Sequence, residues 1–119
     1  FVSMRQKIAS RYDRNFAELN VKHPFQHANS CSSYHLYVIR LNLTKTNRTQ
    51  KEIYQAFHSS GILVNLHYIP VYRQPYYEKL GFRKDDCLAA EEFYLEALSL
   101  PMFPTLSVET SRRLTLAFT

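Results

Sequence analysis

Residues 61–77 read Gly-Ile-Leu-Val-Asn-Leu-His-Tyr-Ile-Pro-Val-Tyr-Arg-Gln-Pro-Tyr-Tyr, a strand pattern that leads into an aromatic loop. Apolar residues dominate positions 62–69, and such a run predicts a buried strand. Because side chains alternate along a strand, Asn65 and His67 share one face and Tyr68 belongs to the other. We expect Tyr68 to lie in the core, whereas Asn65 and His67 mark a polar face.

The second half of this stretch begins where Pro70 breaks the strand. Tyr72, Arg73 and Gln74 follow on a segment without periodicity, which indicates a loop. Their phenol, guanidinium and amide groups all form hydrogen bonds, and binding residues are concentrated on loops. The pattern therefore favours a binding segment at 72–74, with simple loop packing as the alternative.

The sequence before this stretch predicts a helix followed by a central strand. Apolar residues at three-to-four spacing predict a helix over residues 4–19, and residues 20–33 show no period and read as a loop. Period-two alternation then predicts a strand over residues 34–43. Both of its faces are mostly apolar, so we expect this strand to lie inside the sheet.

Further elements complete an α+β fold. Thr49 and Glu52 fit a capping box that opens a helix, and Gly61 suits its end. The remaining predicted elements are a helix over 74–80, a helix capped by Asp85 or Asp86 with a stripe of Ala90, Tyr94 and Ala97, a short strand from Leu98, and a last helix opened by Ser107. This order predicts a small, mostly antiparallel three-stranded sheet with helices packed on it.

Length and composition limit the class of protein. The 119 residues, 45% of them hydrophobic, suit one compact domain spanning 1–119. Only two glycines are present, which argues against a glycine-rich phosphate loop. The net charge is +5, but the basic residues are interspersed with acidic ones. This distribution favours a solvated basic surface without nucleic-acid binding. A nucleotide- or nucleic-acid-binding module without catalysis remains the alternative.

Cysteine spacing and hydropathy point to neither a metal site nor a membrane protein. Cys31 and Cys87 lack the spacing of a zinc site, so we predict no metal. The apolar runs are too short to span a bilayer, and the sequence predicts a cytoplasmic protein without membrane contact. The chain opens on Phe1 within a helical pattern, which suggests a piece of something longer.

Several motifs resemble a known family. His67, Tyr68, Pro70, Gln74 and the pair at 76–77 resemble the signature of the DegT/DnrJ/StrS sugar aminotransferases, a pyridoxal-phosphate family. Residues 5–19, 34–37, 87–91 and 98–101 resemble further family elements in the family's order, so the resemblance covers nearly the whole chain. Two positions depart from it, because Tyr72 stands where the family usually has His, and Leu88 where it usually has Pro.

The resemblance implies a fragment of a larger enzyme. Residues 65–71 look most like family members that aminate a UDP-linked keto-sugar toward pseudaminic acid, or like spore coat polysaccharide relatives. It implies that this chain is the C-terminal small domain, and that the absent large domain supplies pyridoxal phosphate, its Schiff-base lysine and most of the phosphate pocket. Glutamate or a similar amino acid would be the donor, and the whole enzyme would be a homodimer in glycan biosynthesis.

The resemblance also assigns roles within this chain. It implies that Asn65, His67, Tyr72, Arg73 and Gln74 bind the substrate, and that no residue here is catalytic or binds the cofactor. For His67 the alternative is a partly buried ring bonded to a neighbouring carbonyl, and for Arg73 it is a solvated cation. We expect the chain to be inactive alone and to self-associate through apolar surface that the large domain would cover.

Overall fold

A computed structural model describes residues 1–118 and confirms the α+β class. These residues form five α-helices, one short 3-10 helix and four strands. In chain order the elements are α1 (Val2–Asn15), β1 (Val21–Lys22), β2 (Tyr37–Leu41), α2 (Gln50–Ser59), β3 (Asn65–Leu66), the 3-10 helix (Val71–Arg73), α3 (Pro75–Lys79), α4 (Leu88–Glu96), β4 (Ala97–Leu100) and α5 (Val108–Leu116).

The sheet has four strands in the order β1-β2-β4-β3, and every pairing is antiparallel. The prediction of three strands was therefore one short. The additional strand, β1, lies in the segment predicted as a loop, and its two residues pair with Leu41 and Arg40. Backbone groups along β2 need partners on both sides, and β1 supplies them on the outer side. The predicted position of β2 inside the sheet is confirmed.

The core lies on one face of this sheet, between β2, β4 and three helices. It collects Ile8, Tyr12 and Phe16 from the first helical segment with residues of β2, α2, β4 and α5. Tyr12 is at its centre, with ring centroids 5.4 Å from Phe16 and 5.0 Å from Tyr37. Its hydroxyl donates to the Pro101 carbonyl at 2.7 Å, so its one polar group is satisfied.

Helix α4 buries two charged side chains more deeply than most of the predicted apolar stripe. Its buried residues are Glu91 and Glu96, while Ala90 and Tyr94 are half-buried and Ala97, just past the helix end, is fully buried. Arg40 of β2 donates to Glu96 at 2.8 Å between Nη2 and Oε2. A strand residue on the non-core face can pair in this way because alternate side chains of β2 point away from the core.

The strand predicted over residues 62–69 is reduced to Asn65–Leu66, and its register limits it on the C-terminal side. Leu66 pairs with Leu98, so Tyr68 would have to pair with Glu96, which is already the last residue of α4. The ladder therefore cannot extend to Tyr68. Tyr68 is 94% exposed, so its predicted place in the core was wrong.

Several predicted helix ends are confirmed, and two are corrected. The capping box of Thr49 and Glu52 is present. Helix α1 ends at Asn15, four residues before the predicted end. Helix α4 begins at Leu88 and not after an aspartate cap, because Asp86 instead accepts the backbone N–H of Arg83 at 2.7 Å. The aspartate thus closes the preceding turn.

Candidate functional site

The first part of the predicted site lies at the edge of the sheet. Asn65 of β3 pairs with Ser99 of β4, and directly paired residues share a face. His67 follows two residues later, and its Nε2 lies 3.0 Å from Ser99 Oγ. The His67 ring also packs 5.5 Å from the ring of Phe93 in α4. Burial lowers the pKa of His67 below its ordinary value, so the neutral imidazole is favoured.

Asn65 and Gln74 present their amides to solvent. Both side chains are exposed, and within residues 1–118 neither has a hydrogen-bonding partner. Gln74 precedes α3, and its carbonyl accepts the backbone N–H groups of Tyr77 and Glu78. The backbone of Gln74 is therefore fixed while its amide remains available for a ligand.

Tyr72 and Arg73 lie on the 3-10 helix and converge on one carboxylate of α4. The Tyr72 hydroxyl donates to Glu91 Oε1 at 2.6 Å, and Arg73 Nη1 donates to Glu91 Oε2 at 3.1 Å. The guanidinium also lies 5.6 Å from the ring centroid of Tyr94. The two side chains are thus anchored to α4.

The ionisation of this cluster follows from its contacts. Burial, together with the hydrogen bond to Glu91, raises the pKa of Tyr72 to about 12. The hydrogen bond from Tyr72, with Arg73 nearby, lowers the pKa of Glu91 although burial opposes that shift. At neutral pH the cluster therefore holds a neutral phenol, a carboxylate and a guanidinium, and its net charge is zero.

Helix α4 supports both parts of the predicted site. His67 packs on Phe93, and Arg73 pairs with Glu91. Reasoning from the sequence did not single out Ser99, Phe93 or Glu91 as site residues. The sequence did contain a signal for Glu91. This acidic residue lies three residues before Tyr94, on the side of the helix that was interpreted as apolar, and a buried acid is unusual unless it is paired.

Neither a cluster of metal ligands nor a membrane-spanning helix is found among the described residues. Within residues 1–118, no three His, Cys, Asp or Glu side chains cluster so that they could hold a metal ion, and both cysteines are free and exposed. All six lysines are exposed. No helix in this part of the chain has the length and apolar character needed to cross a bilayer.

The fold is shared with solved sugar aminotransferases. A putative sugar aminotransferase, Spr1654 from Streptococcus pneumoniae, superposes with a TM-score of 0.83 at 28% identity over 98% of this chain and 29% of its own. The chain is thus built like part of a sugar aminotransferase.

The family is defined by the sequence match. The DegT/DnrJ/EryC1/StrS aminotransferase family matches residues 1–119, and the chain belongs to this family. The spore coat polysaccharide biosynthesis protein SpsC of Bacillus subtilis is 34% identical over 106 residues, 87% of this chain and 27% of that protein. The UDP-4-amino-4,6-dideoxy-N-acetyl-beta-L-altrosamine transaminase of Helicobacter pylori is 34% identical over 109 residues, 89% of this chain and 28% of that protein. The chain therefore spans little more than a quarter of these relatives.

Proposed function

We propose that the chain is the C-terminal small domain of a pyridoxal-phosphate-dependent nucleotide-sugar aminotransferase. The whole enzyme would move an amino group from an amino acid such as glutamate to a keto-sugar nucleotide during surface polysaccharide biosynthesis. The named activity of the Helicobacter pylori relative and the spore coat role in the name of the Bacillus subtilis relative support this proposal.

One structural observation carries the assignment of the binding residues. Two anchored groups, His67 on Ser99 and Arg73 on Glu91, lie along the chain between the exposed amides of Asn65 and Gln74, and both groups contact helix α4. Anchoring reduces the conformational entropy that binding costs, while the open amides supply donors and acceptors. Such a surface suits a polyhydroxylated ligand, and Asn65, His67, Tyr72, Arg73 and Gln74 are its proposed contacts.

The proposal divides the chemistry between this domain and the rest of the enzyme. Pyridoxal phosphate would supply the amino-transfer chemistry, and its lysine would come from outside residues 1–118, as the family resemblance implies. This domain binds and orients the sugar side of the substrate. Alone, it would neither bind the cofactor nor catalyse the reaction, and the whole enzyme would be a cytoplasmic homodimer.

The test uses the full-length protein that carries this chain. Incubated with pyridoxal phosphate, it should develop visible absorbance of the bound cofactor, and a keto-sugar nucleotide should discharge the aminated cofactor. No visible absorbance, or no response to keto-sugar nucleotides, would overturn the proposal. Steep salt-dependent binding of an oligonucleotide by the 119-residue chain would support the alternative of a nucleic-acid-binding module.

A matched pair of variants tests the binding surface. Asn65→Ala should raise KM for the sugar nucleotide about 3- to 10-fold, the effect of losing one hydrogen bond to a neutral group. Asn47→Ala removes another exposed amide, just before α2, and should leave KM unchanged. Equal KM values for both variants would remove Asn65 from the site.

A further inference from the structure

Glu91 is a buried carboxylate for which the proposed reaction has no direct use. Its residue is 6% exposed, and its two oxygens are taken separately by Tyr72 at 2.6 Å and Arg73 at 3.1 Å. Adjacent residues of the 3-10 helix are thus tied to one side chain of α4. Charge-assisted hydrogen bonds of this kind are the stronger class.

The pairing leaves donors free while cancelling the charge. The Arg73 side chain is 22% exposed, and a guanidinium carries five N–H groups, of which only Nη1 has an acceptor within residues 1–118. The charge of Arg73 is compensated by Glu91, and Tyr72 is neutral. The exposed side of the cluster therefore offers directional N–H donors with little net positive potential.

We infer that Glu91 is a positioning residue that holds Tyr72 and Arg73 on α4. By neutralising Arg73, it also suits this segment to the uncharged sugar of the substrate and not to its diphosphate. This inference rests on the proposed function for the identity of the ligand. The anchoring itself does not depend on that function, so the two are tested separately.

Limited proteolysis of the full-length protein tests the anchoring. Trypsin must take the Arg73 side chain to cut before Gln74, so the Glu91 pairing should protect this bond. In Glu91→Gln, cleavage after Arg73, normalised to cleavage after the exposed Lys45, should become about tenfold faster because local opening becomes easier. Tyr72→Phe removes one of the two anchors and should give a smaller increase.

Glu92→Gln is the matched control. Glu92 is the next residue of the same helix, but it pairs with Arg40 and Lys22 and not with the 3-10 helix. This variant should leave the normalised cleavage at Arg73 unchanged. If Glu91→Gln does not fold, as judged by circular dichroism, Tyr72→Phe decides the result. An unchanged cleavage ratio in the folded variants would overturn the anchoring role.

Binding of UDP and UDP-N-acetylglucosamine, measured by calorimetry on the full-length protein, tests the ligand preference. Arg73→Gln should weaken UDP-N-acetylglucosamine about tenfold and change UDP less than twofold. In Glu91→Gln the affinity gained from the sugar, which is that of UDP-N-acetylglucosamine relative to UDP, should also fall. UDP itself should bind no more weakly, because the charge of Arg73 is no longer compensated. Equal weakening of both ligands in Arg73→Gln would overturn the preference. A wild-type protein that binds neither ligand would count against the proposed function and leave the proteolysis result standing.

Discussion

His67 Nε2 and Ser99 Oγ lie 3.0 Å apart, which joins the residue just beyond the edge strand β3 to the inner strand β4. Only two residue pairs form the β3–β4 ladder, so this side-chain contact extends the attachment beyond the last ladder pair. Because Ser99 is 5% exposed, the hydroxyl is a fixed partner for the imidazole. The edge of the sheet is thereby held where the predicted binding segment begins.

The pH dependence of stability should carry a contribution from His67. Burial lowers the pKa of its imidazole in the folded chain, so the unfolded chain takes up a proton first as the pH falls. Above about pH 6.5 the imidazole is neutral in both states, and His67 then does not lower the free energy of unfolding. As the pH falls from there through the lowered pKa, the free energy of unfolding decreases. We expect a loss below about 1 kcal/mol, since the ring is only partly buried.

Two measurements check this expectation. A histidine NMR titration should place the pKa of His67 below 6.5, the ordinary value of the group. Urea unfolding from about pH 8 to about pH 5 should show a shallower pH dependence in His67→Gln than in the parent chain. A pKa at or above the ordinary value would contradict the burial argument.

Replacing Arg40 should cost far more stability than replacing Lys22, although both approach Glu96. Arg40 Nη2 lies 2.8 Å from Glu96 Oε2, and Glu96 is 8% exposed, so Arg40→Met leaves a buried carboxylate with a poor partner. We expect a loss of about 2 kcal/mol. Lys22 is half exposed at 3.6 Å, and Lys22→Met should cost less than about 0.5 kcal/mol.

A double variant separates the penalty of burying an unpaired charge from lost packing. Arg40→Met with Glu96→Met removes both charges and should recover most of the stability lost in the single variant. Urea unfolding of the four proteins gives the comparison. If the double variant is as unstable as the sum of the two single losses, the ion pair does not explain how α4 is held.

The capping box of α2 should contribute measurably to stability. The Thr49 hydroxyl accepts the backbone N–H of Glu52 at 3.3 Å, and the Glu52 side chain accepts the backbone N–H of Thr49 at 2.6 Å. Thr49→Ala should cost about 1 kcal/mol in thermal or urea unfolding. Gln55→Ala, at an exposed position in the same helix, should change stability by less than about 0.5 kcal/mol.

The core around Tyr12 should be sensitive to both its ring and its hydroxyl. Tyr12→Phe leaves the Pro101 carbonyl without its 2.7 Å donor and should cost about 1 kcal/mol. Tyr12→Ala also opens a cavity beside Phe16 and should cost about 3–5 kcal/mol. Tyr76→Phe is the control, because this ring is 68% exposed and its change should be near zero in urea unfolding.

Structural features that depend only on residues adjacent in the sequence could be predicted from it. The cap at Thr49, the Ser107 cap of α5 and the end of α2 near Gly61, which has a φ of 73°, all follow from local backbone chemistry. The alternation that buries Tyr37 and its neighbours in β2 is equally local. The two-residue strand β1 was not predictable, because its pairing with β2 carries no periodic signal of its own.

The sequence by itself determined the α+β class, most of the helices and the family resemblance. Periodicity, caps and motifs each depend only on residues that are close together in the chain. Only the tertiary structure decided that the predicted strand does not reach Tyr68, since that depends on where α4 ends opposite it. It also decided that Tyr72 and Arg73 share the carboxylate of Glu91, 19 and 18 residues away. Such a contact is set by the docking of one element on another, and no local pattern specifies it.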